Sequence, residues 1–213
     1  MNNHILYFYL IEDEMKTTET IHPKQVEIYF ALLGDGNLVL DLGCGNGSIG
    51  KYKQNSVIRV IGIDKDLNLL KKAAKYEDVI LFDLEKGDLP FPDNFFDGII
   101  AKDILEHLNN PSLCMTEMHR ILKPDKKAII SVPMAKPNIV WDDYTHIRGF
   151  TKNAIIKMVR DHNFELVSLL PMGSIPGFGR LNLNKLLPLI FQIPGINHFA
   201  KCHQVVIKKQ IGV

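Results

Sequence analysis

The chain has 213 residues, 46% of them hydrophobic, which is enough for one sizeable packed core and long for a small disulfide scaffold. A formal net charge of +1 excludes the large basic excess that drives association with nucleic acid, so we expect no nucleic-acid partner. The three cysteines lie far apart, with neither zinc-site nor disulfide spacing, and we therefore expect reduced thiols, no metal site and a cytoplasmic location.

Short apolar runs separated by turn residues predict strands that alternate with helices. An apolar-faced helix at about 22–33 is followed by a first strand at 38–42 and a cluster of glycines. Six further strands are predicted at 57–63, 79–82, 96–101, 127–132, 164–170 and 202–207, with helices at about 66–75, 112–122 and 151–161.

This alternation predicts the fold class. Parallel neighbouring strands need crossover connections, which helices supply. We predict a single α/β domain over 1–213 that is Rossmann-like and doubly wound. Its seven-stranded sheet should be mostly parallel, with an antiparallel hairpin at one edge.

Two segments lie outside the regular alternation. Residues 1–33 are predicted to form an N-terminal helical cap, and 171–200, rich in proline, glycine and leucine, an apolar insertion before the last strand. The insertion lacks the roughly 20 continuous apolar residues of a membrane-spanning helix, so no transmembrane segment is predicted. Core packing is one role for its leucines, and contact with a hydrophobic substrate, a partner or a membrane surface is another.

The strongest chemical pattern is the run Val-Leu-Asp-Leu-Gly-Cys-Gly-Asn-Gly-Ser at 39–48. Glycines after a strand let a bulky ligand approach the main chain closely. Asp41 would repel a pyrophosphate at this turn but attract an ammonium group. Residues 45–50 also fit the GxGxxG pattern of nicotinamide enzymes, with Asp64 available for a ribose, so an NAD(P)-dependent oxidoreductase stays open at this point.

The glycine turn closely resembles the first motif of class I S-adenosylmethionine-dependent methyltransferases. Segments 61–64, 81–84, 95–108 and 120–124 resemble later motifs of that family, in the same order. The resemblance implies S-adenosylmethionine as cofactor, with Asp64 binding the ribose hydroxyls and Asp83 and Leu84 contacting the adenine edge. The complete set of implied cofactor-binding residues is Asp41, Gly43, Cys44, Gly45, Asp64, Lys65, Asp83, Leu84, Lys102 and Asp103.

Candidate catalytic residues are His107, His146 and Arg148. Segment 142–151 resembles a loop that borders the substrate mouth in small-molecule methyltransferases. Histidine can take a proton from a hydroxyl near neutral pH, and an arginine fork can bind a carboxylate or a phosphate. In the alternative interpretation, His146 and Arg148 only clasp backbone carbonyl groups, and His107 is a helix-end residue.

These patterns together predict methyl transfer to a small-molecule or lipid-like acceptor. Two alternatives are the oxidoreductase and a non-catalytic protein that binds S-adenosylmethionine. The Asn/Asp-Pro-Pro-Tyr sequence of amino-methylating nucleic-acid enzymes is absent after the fourth strand, where residues 101–104 read Ala-Lys-Asp-Ile.

Overall fold

A computed structural model describes residues 21, 23–53, 57–173, 190 and 200–210. Its seven strands form one sheet in the order β3-β2-β1-β4-β5-β7-β6. The first five strands pair in parallel, and β7 is antiparallel to both β5 and β6. The strands are β1 Leu38–Leu42, β2 Arg59–Asp64, β3 Asp78–Leu81, β4 Phe96–Lys102, β5 Leu122–Pro133, β6 Phe164–Gly173 and β7 Ala200–Lys209.

The predicted fold class is confirmed, because the sheet is mostly parallel and ends in an antiparallel edge pair. Helices α2 Ser48–Tyr52, α3 Leu67–Ala73 and α4 Pro111–Ile121 connect β1 to β2, β2 to β3 and β4 to β5, whereas residues 82–95 join β3 to β4 without a helix. The other helices are α1 Pro23–Leu33, α5 Pro137–Val140 and α6 Lys152–Asp161, with a 3-10 turn at Leu105–His107.

The sheet is buried on both faces, which explains the continuous apolar runs of β1 and β4. On one face the core includes Met115 and Met118 of α4 and Ile155 of α6. On the other face, Val26 and Tyr29 of α1 lie in a second core with strand residues. The two layers hold the strand ends rigidly, so side chains at those ends are well positioned for binding.

The strand order locates a crevice at the carboxyl ends of the strands. Strand β1 pairs with β2 on one side and with β4 on the other, so the chain leaving β1 and the chain leaving β4 diverge. Open α/β sheets bind ligands at such a reversal of strand order. Here the crevice lies between the glycine turn that begins at Gly43 and the turn that follows Lys102.

Several element bounds differ from the predicted ones. Strand β5 begins at Leu122, five residues earlier than expected, because its first residues pair with the start of β4 across a register shift. Strand β6 continues to Gly173 and β7 begins at Ala200, so both ends of the predicted insertion are strand residues. Residues 174–189 and 191–199 of that insertion, and 1–20 of the predicted cap, lie outside the described residues. Within the described part of the chain, no helix has the length and apolar character needed to cross a membrane.

Candidate active site

The loop between β1 and α2 turns sharply because three of its glycines adopt left-handed backbone angles. Gly43, Gly45 and Gly47 have φ values of 76°, 54° and 80°, which side chains disfavour. A Cβ atom on Gly43 would lie 2.7 Å from Cγ1 of Ile104, whereas one on Gly45 would meet no atom within 4 Å. Gly45 therefore leaves its main chain open to a ligand, as the sequence pattern predicts.

Asp64, at the end of β2, holds this turn in place. Its Oδ2 accepts a hydrogen bond from the Gly45 amide at 2.9 Å, and its Oδ1 accepts one from the Asp66 amide at 2.9 Å. Each carboxylate oxygen has two lone pairs, so both can accept a further bond from a ligand hydroxyl. Asp64 can therefore bind a ribose while it fixes the loop.

Asp41 is only 4% exposed and lies in β1 opposite Gly62 of β2. Burial raises the pKa of its carboxyl group well above the ordinary value, the negative charge of Glu77 adds to this shift, and the Lys102 ammonium opposes it. A cationic ligand beside Asp41 would stabilise the ionised carboxylate. This environment favours an ammonium group over a phosphate.

Glu77 is a second acid beneath the turn, and the sequence did not single it out. Its Oε2 accepts a hydrogen bond from the Gly50 amide at 3.0 Å, and burial raises the pKa of the carboxyl group to about 7. The contact also fills the space at Gly50, the last glycine of the GxGxxG pattern, where a Cβ atom would lie 2.6 Å from Oε2. An acid at this position is a poor neighbour for a dinucleotide phosphate.

Two cavities meet at Gly43. The first, named here the Asp41 cavity, has a volume of about 320 Å³. It is lined by Ile21, Asp41, Gly43, Cys44, Gly45, Asn46, Ser48, Ile49, Leu69 and Lys102. The second, named the Asp83 cavity, has a volume of about 300 Å³. It is lined by Gly43, Asp64, Lys65, Phe82, Asp83, Leu84, Ile104, His107, Leu108 and Thr145.

The cavities bring together nine of the ten residues implied as cofactor ligands, and Asp103 is the exception. Asp103 lines neither cavity. Its Oδ1 accepts a hydrogen bond from Ser131 Oγ at 2.9 Å, and its other oxygen pairs with the Lys102 ammonium. Asp103 therefore orients Lys102, which does line the Asp41 cavity.

The three candidate catalytic residues lie near one another but play different parts. His107 lines the Asp83 cavity, whereas His146 and Arg148 do not. His146 Nδ1 donates to the carbonyl oxygen of Val140 at 2.9 Å, and the Arg148 guanidinium donates to that of Asn109 at 3.0 Å. Both residues thus bind backbone carbonyl oxygens, as in the alternative interpretation of the sequence. For His146 this bond uses one ring nitrogen and leaves Nε2 for other contacts.

Glu106 is a buried acid near these residues that sequence reasoning missed. It is 1% exposed, and its Oε1 lies 3.9 Å from His146 Nε2. Burial raises the pKa of its carboxyl group to about 8, with a further contribution from the negative charge of Asp103. The Leu-Glu-His-Leu run contains the signal, since an acid beside a candidate histidine is itself a candidate.

The lining of the Asp83 cavity also includes Phe82, Ile104, Leu108 and Thr145, none of which was a predicted ligand. Three of these are apolar, and they give the cavity a hydrophobic wall that suits a flat ring or an alkyl group. Phe82 and Leu108 are the sequence neighbours of Asp83 and His107, which could have suggested them. Trp141 and Tyr144, by contrast, are 63% and 96% exposed and line neither cavity.

Comparisons with known proteins find similar methyltransferase domains. Residues 40–130 match the model of a methyltransferase domain family. A demethylmenaquinone methyltransferase of Symbiobacterium thermophilum is 31% identical over 112 residues, covering 48% of this chain and 44% of that protein. Phosphoethanolamine N-methyltransferase 3 of Arabidopsis thaliana is 30% identical over 149 residues, covering 63% of this chain and 30% of that protein.

Solved structures share the fold. A SAM-dependent methyltransferase from Archaeoglobus fulgidus superposes with a TM-score of 0.70 at 16% identity, covering 88% of this chain and 92% of the other. Matches to curated relatives cover between 25% and 56% of their length, so the chain spans only part of them. Over residues 40–130 the chain is therefore similar to methyltransferase domains, and its fold is that of S-adenosylmethionine-dependent methyltransferases.

Proposed function

We propose that this chain transfers the methyl group of S-adenosylmethionine to a small-molecule or lipid-like acceptor. The observation that carries the proposal is the pair of cavities joined at Gly43, one with a buried carboxylate and the other with two acids and an apolar wall. This division matches the three chemical parts of the cofactor. They are a cationic amino acid end, a ribose and an adenine ring.

The residues present fit the cofactor. The carboxylate of Asp41 and the bare main chain of Gly45 suit the amino acid end, because one attracts its ammonium group and the other leaves space for it. Asp64 retains lone pairs for ribose hydroxyls, and Asp83 and Leu84 lie in the same cavity for the adenine edge. When bound, the cofactor supplies an electrophilic methyl group on a sulfonium.

The protein contributes to methyl transfer mainly by positioning the donor and the acceptor and by excluding water. An in-line displacement speeds up greatly when donor and acceptor are held at reacting distance in a desolvated site. Ile104 and Leu108 exclude water from the Asp83 cavity, and His107 stands beside them. A histidine there can accept the proton of a hydroxyl acceptor, which an amine or carbon acceptor does not require.

The nature of the acceptor is inferred from the relatives. The two named relatives are described as methyltransferases of phosphoethanolamine and of demethylmenaquinone. We therefore propose a small-molecule or lipid-like acceptor with one reactive polar atom.

A two-stage experiment tests the proposal. S-adenosylhomocysteine should raise the melting temperature, whereas NAD and NADP should not, because only a ligand that binds the folded state stabilises it. S-adenosylhomocysteine formation is then measured with demethylated quinols, phenols, fatty alcohols and phosphoethanolamine. Stabilisation by a nicotinamide dinucleotide alone would overturn the proposal, and cofactor binding without turnover on any acceptor would favour the non-catalytic alternative.

A further inference from the structure

We propose that Glu106, His107 and His146 form a binding site for a divalent transition-metal cation, of which Zn²⁺ is the representative, at the edge of the Asp83 cavity. One potential ligand atom of each residue lies within 4.8 Å of those of the other two. Sequence spacing predicted no metal site, because Glu106 and His107 come from the turn after β4 and His146 from the loop after α5.

The spacing of the three groups suits an ion better than direct contact. His146 Nε2 lies 3.9 Å from Glu106 Oε1, which is too long for a hydrogen bond. Bonds from Zn²⁺ to nitrogen and oxygen are about 2.0–2.2 Å long, so ligand atoms that share one ion lie about 3–4 Å apart. Small side-chain rotations of Glu106 and His107 would bring the three ligand atoms within bonding distance of one ion.

The hydrogen bonds of both imidazole rings direct free lone pairs away from the backbone. A carbonyl oxygen only accepts, so Nδ1 of His146 carries the hydrogen in its 2.9 Å bond to Val140. Likewise, Nδ1 of His107 donates to the carbonyl oxygen of Thr145 at 3.2 Å. Metal-bound histidines have this arrangement, with the far ring nitrogen held by a carbonyl or carboxylate partner.

Glu106 supplies an independent indication of a bound cation. Its Oε2 is buried and has no hydrogen-bond partner among the residues that the structure describes. A buried carboxylate oxygen without a partner is costly, and a cation would offset that cost. The nearby Lys102 ammonium pairs with Asp103 instead.

The donor set also determines the class of ion. Two imidazoles and one carboxylate select Zn²⁺, Fe²⁺ and related transition metals, whereas Ca²⁺ and Mg²⁺ prefer all-oxygen sites. Three protein ligands leave at least one coordination position open, as in catalytic zinc sites. Because His107 lines the Asp83 cavity, the open position would face that cavity.

This placement refines the acceptor class, and that refinement rests on the proposed function. A metal ion in contact with a hydroxyl or phenol lowers the pKa of that group. With His107 bound to the ion, it would not act as the base, and the acceptor's proton would pass to solvent. The acceptor's oxygen would form a bond to the methyl carbon, and the carbon–sulfur bond would break with its electron pair going to sulfur. The site thus points to an O-methyl acceptor whose oxygen binds a metal.

Metal binding by the full chain, without any cofactor or acceptor, is the direct test. Chelator-treated protein is titrated with Zn²⁺ by calorimetry and with Co²⁺ by visible absorption. We expect one tight site, and a Co²⁺ spectrum typical of mixed nitrogen and oxygen ligands. Glu106→Gln and His146→Asn should each weaken Zn²⁺ binding about 100-fold, since each removes one ligand of a three-residue set.

His162→Gln is the matched control, because His162 lies at the end of α6 and is bonded to Ser112 Oγ and the Met158 carbonyl. This variant should bind Zn²⁺ as the unmodified chain does. Circular dichroism and S-adenosylhomocysteine affinity check that the site variants are folded. The proposal is overturned if no tight Zn²⁺ site exists, or if Glu106→Gln and His146→Asn bind Zn²⁺ normally.

The result separates the metal site from the methyltransferase proposal. Zn²⁺ binding that depends on Glu106, in a chain that does not bind S-adenosylhomocysteine, would support the site and remove the proposed function. Cofactor binding in a chain without a Zn²⁺ site would overturn the metal site and leave the proposed function standing. In that second case, the Glu106 and His146 pair would be an acid and base cluster without metal.

Discussion

The two sides of the crevice are built in different ways. On the cofactor side, Asp41 and Asp64 lie on adjacent parallel strands and Asp83 follows the next one, and the main chain itself forms the turn at Gly45. On the acceptor side, His107 follows β4 and His146 comes from a loop, and Nδ1 of each ring donates a hydrogen bond to a backbone carbonyl oxygen. The sheet positions the side chains of the cofactor side, whereas loop packing positions those of the acceptor side.

This difference has a functional consequence. Strand ends in a packed sheet keep their spacing when loops change, so the cofactor side can stay constant across a family. Loops accept substitutions and insertions more easily, so the acceptor side can adapt to different molecules. Substitutions on the two sides should therefore separate cofactor affinity from turnover.

The largest effect is expected at the glycine turn. Gly43→Ala adds a Cβ atom 2.7 Å from Ile104 at a φ of 76°, and strain of this kind costs about 1–3 kcal/mol. If the loop moves to relieve it, cofactor affinity should fall on the order of 100-fold. Calorimetry with S-adenosylhomocysteine measures the change.

Gly34→Ala is the control for this substitution. Gly34 also has a left-handed φ, 83°, but a Cβ atom there would meet nothing within 4 Å. Its variant should lose about 1 kcal/mol of stability from backbone strain alone and keep its cofactor affinity. Equal affinities in Gly43→Ala and the unmodified chain would show that the turn does not contact the cofactor.

His146→Ala tests the acceptor side. Turnover should fall on the order of 100-fold, because His146 is one of the three ligands of the proposed metal site. The dissociation constant of S-adenosylhomocysteine should hardly change, because His146 lines neither cavity. A parallel loss of cofactor affinity would mean that the residue only supports the loop.

A smaller, pH-dependent effect should arise at Asp41, which faces Glu77, Lys102 and Asp64. Its pKa is raised in the free protein, and a bound ammonium group would lower it, so cofactor binding should release protons. The affinity should then rise with pH until the carboxyl group of the free protein is ionised, by at most about tenfold per unit. Calorimetry in two buffers with different ionisation enthalpies counts the protons released.

Asp41→Asn keeps the shape of the side chain and removes its titration. Proton release on cofactor binding should decrease in this variant, and the affinity should depend less on pH. If the variant and the unmodified chain release the same number of protons, the raised pKa of Asp41 plays no part in cofactor binding.

The strand-end acids were predictable because parallel neighbours place their carboxyl ends at one edge of the sheet. Asp41, Asp64 and Asp83 each follow or end a short apolar run, so their convergence follows from strand order alone. Asp103 shows the limit of this reasoning. It also follows a strand, but its φ of 52° and its bond to Ser131 turn it away from the cavities.

The acceptor side could be predicted only in part. Segment 142–151 identified His146 and Arg148, but not which carbonyl oxygens they bind, because those partners lie on Val140 and Asn109. Glu106 was missed because burial decides its role, and periodicity does not distinguish a buried acid in a short 3-10 turn from an exposed one. Loop contacts of this kind depend on packing between distant segments.

The most direct test of the cofactor site compares two acids only two residues apart. Asp64 faces the Asp83 cavity, whereas Asp66 caps α3 by accepting from the Asn68 and Leu69 amides. Asp64→Ala should weaken S-adenosylhomocysteine binding by about 2 kcal/mol, or roughly 30-fold, in calorimetry. Asp66→Ala should lose about 1 kcal/mol of stability and bind normally. An unchanged dissociation constant in Asp64→Ala would contradict the account.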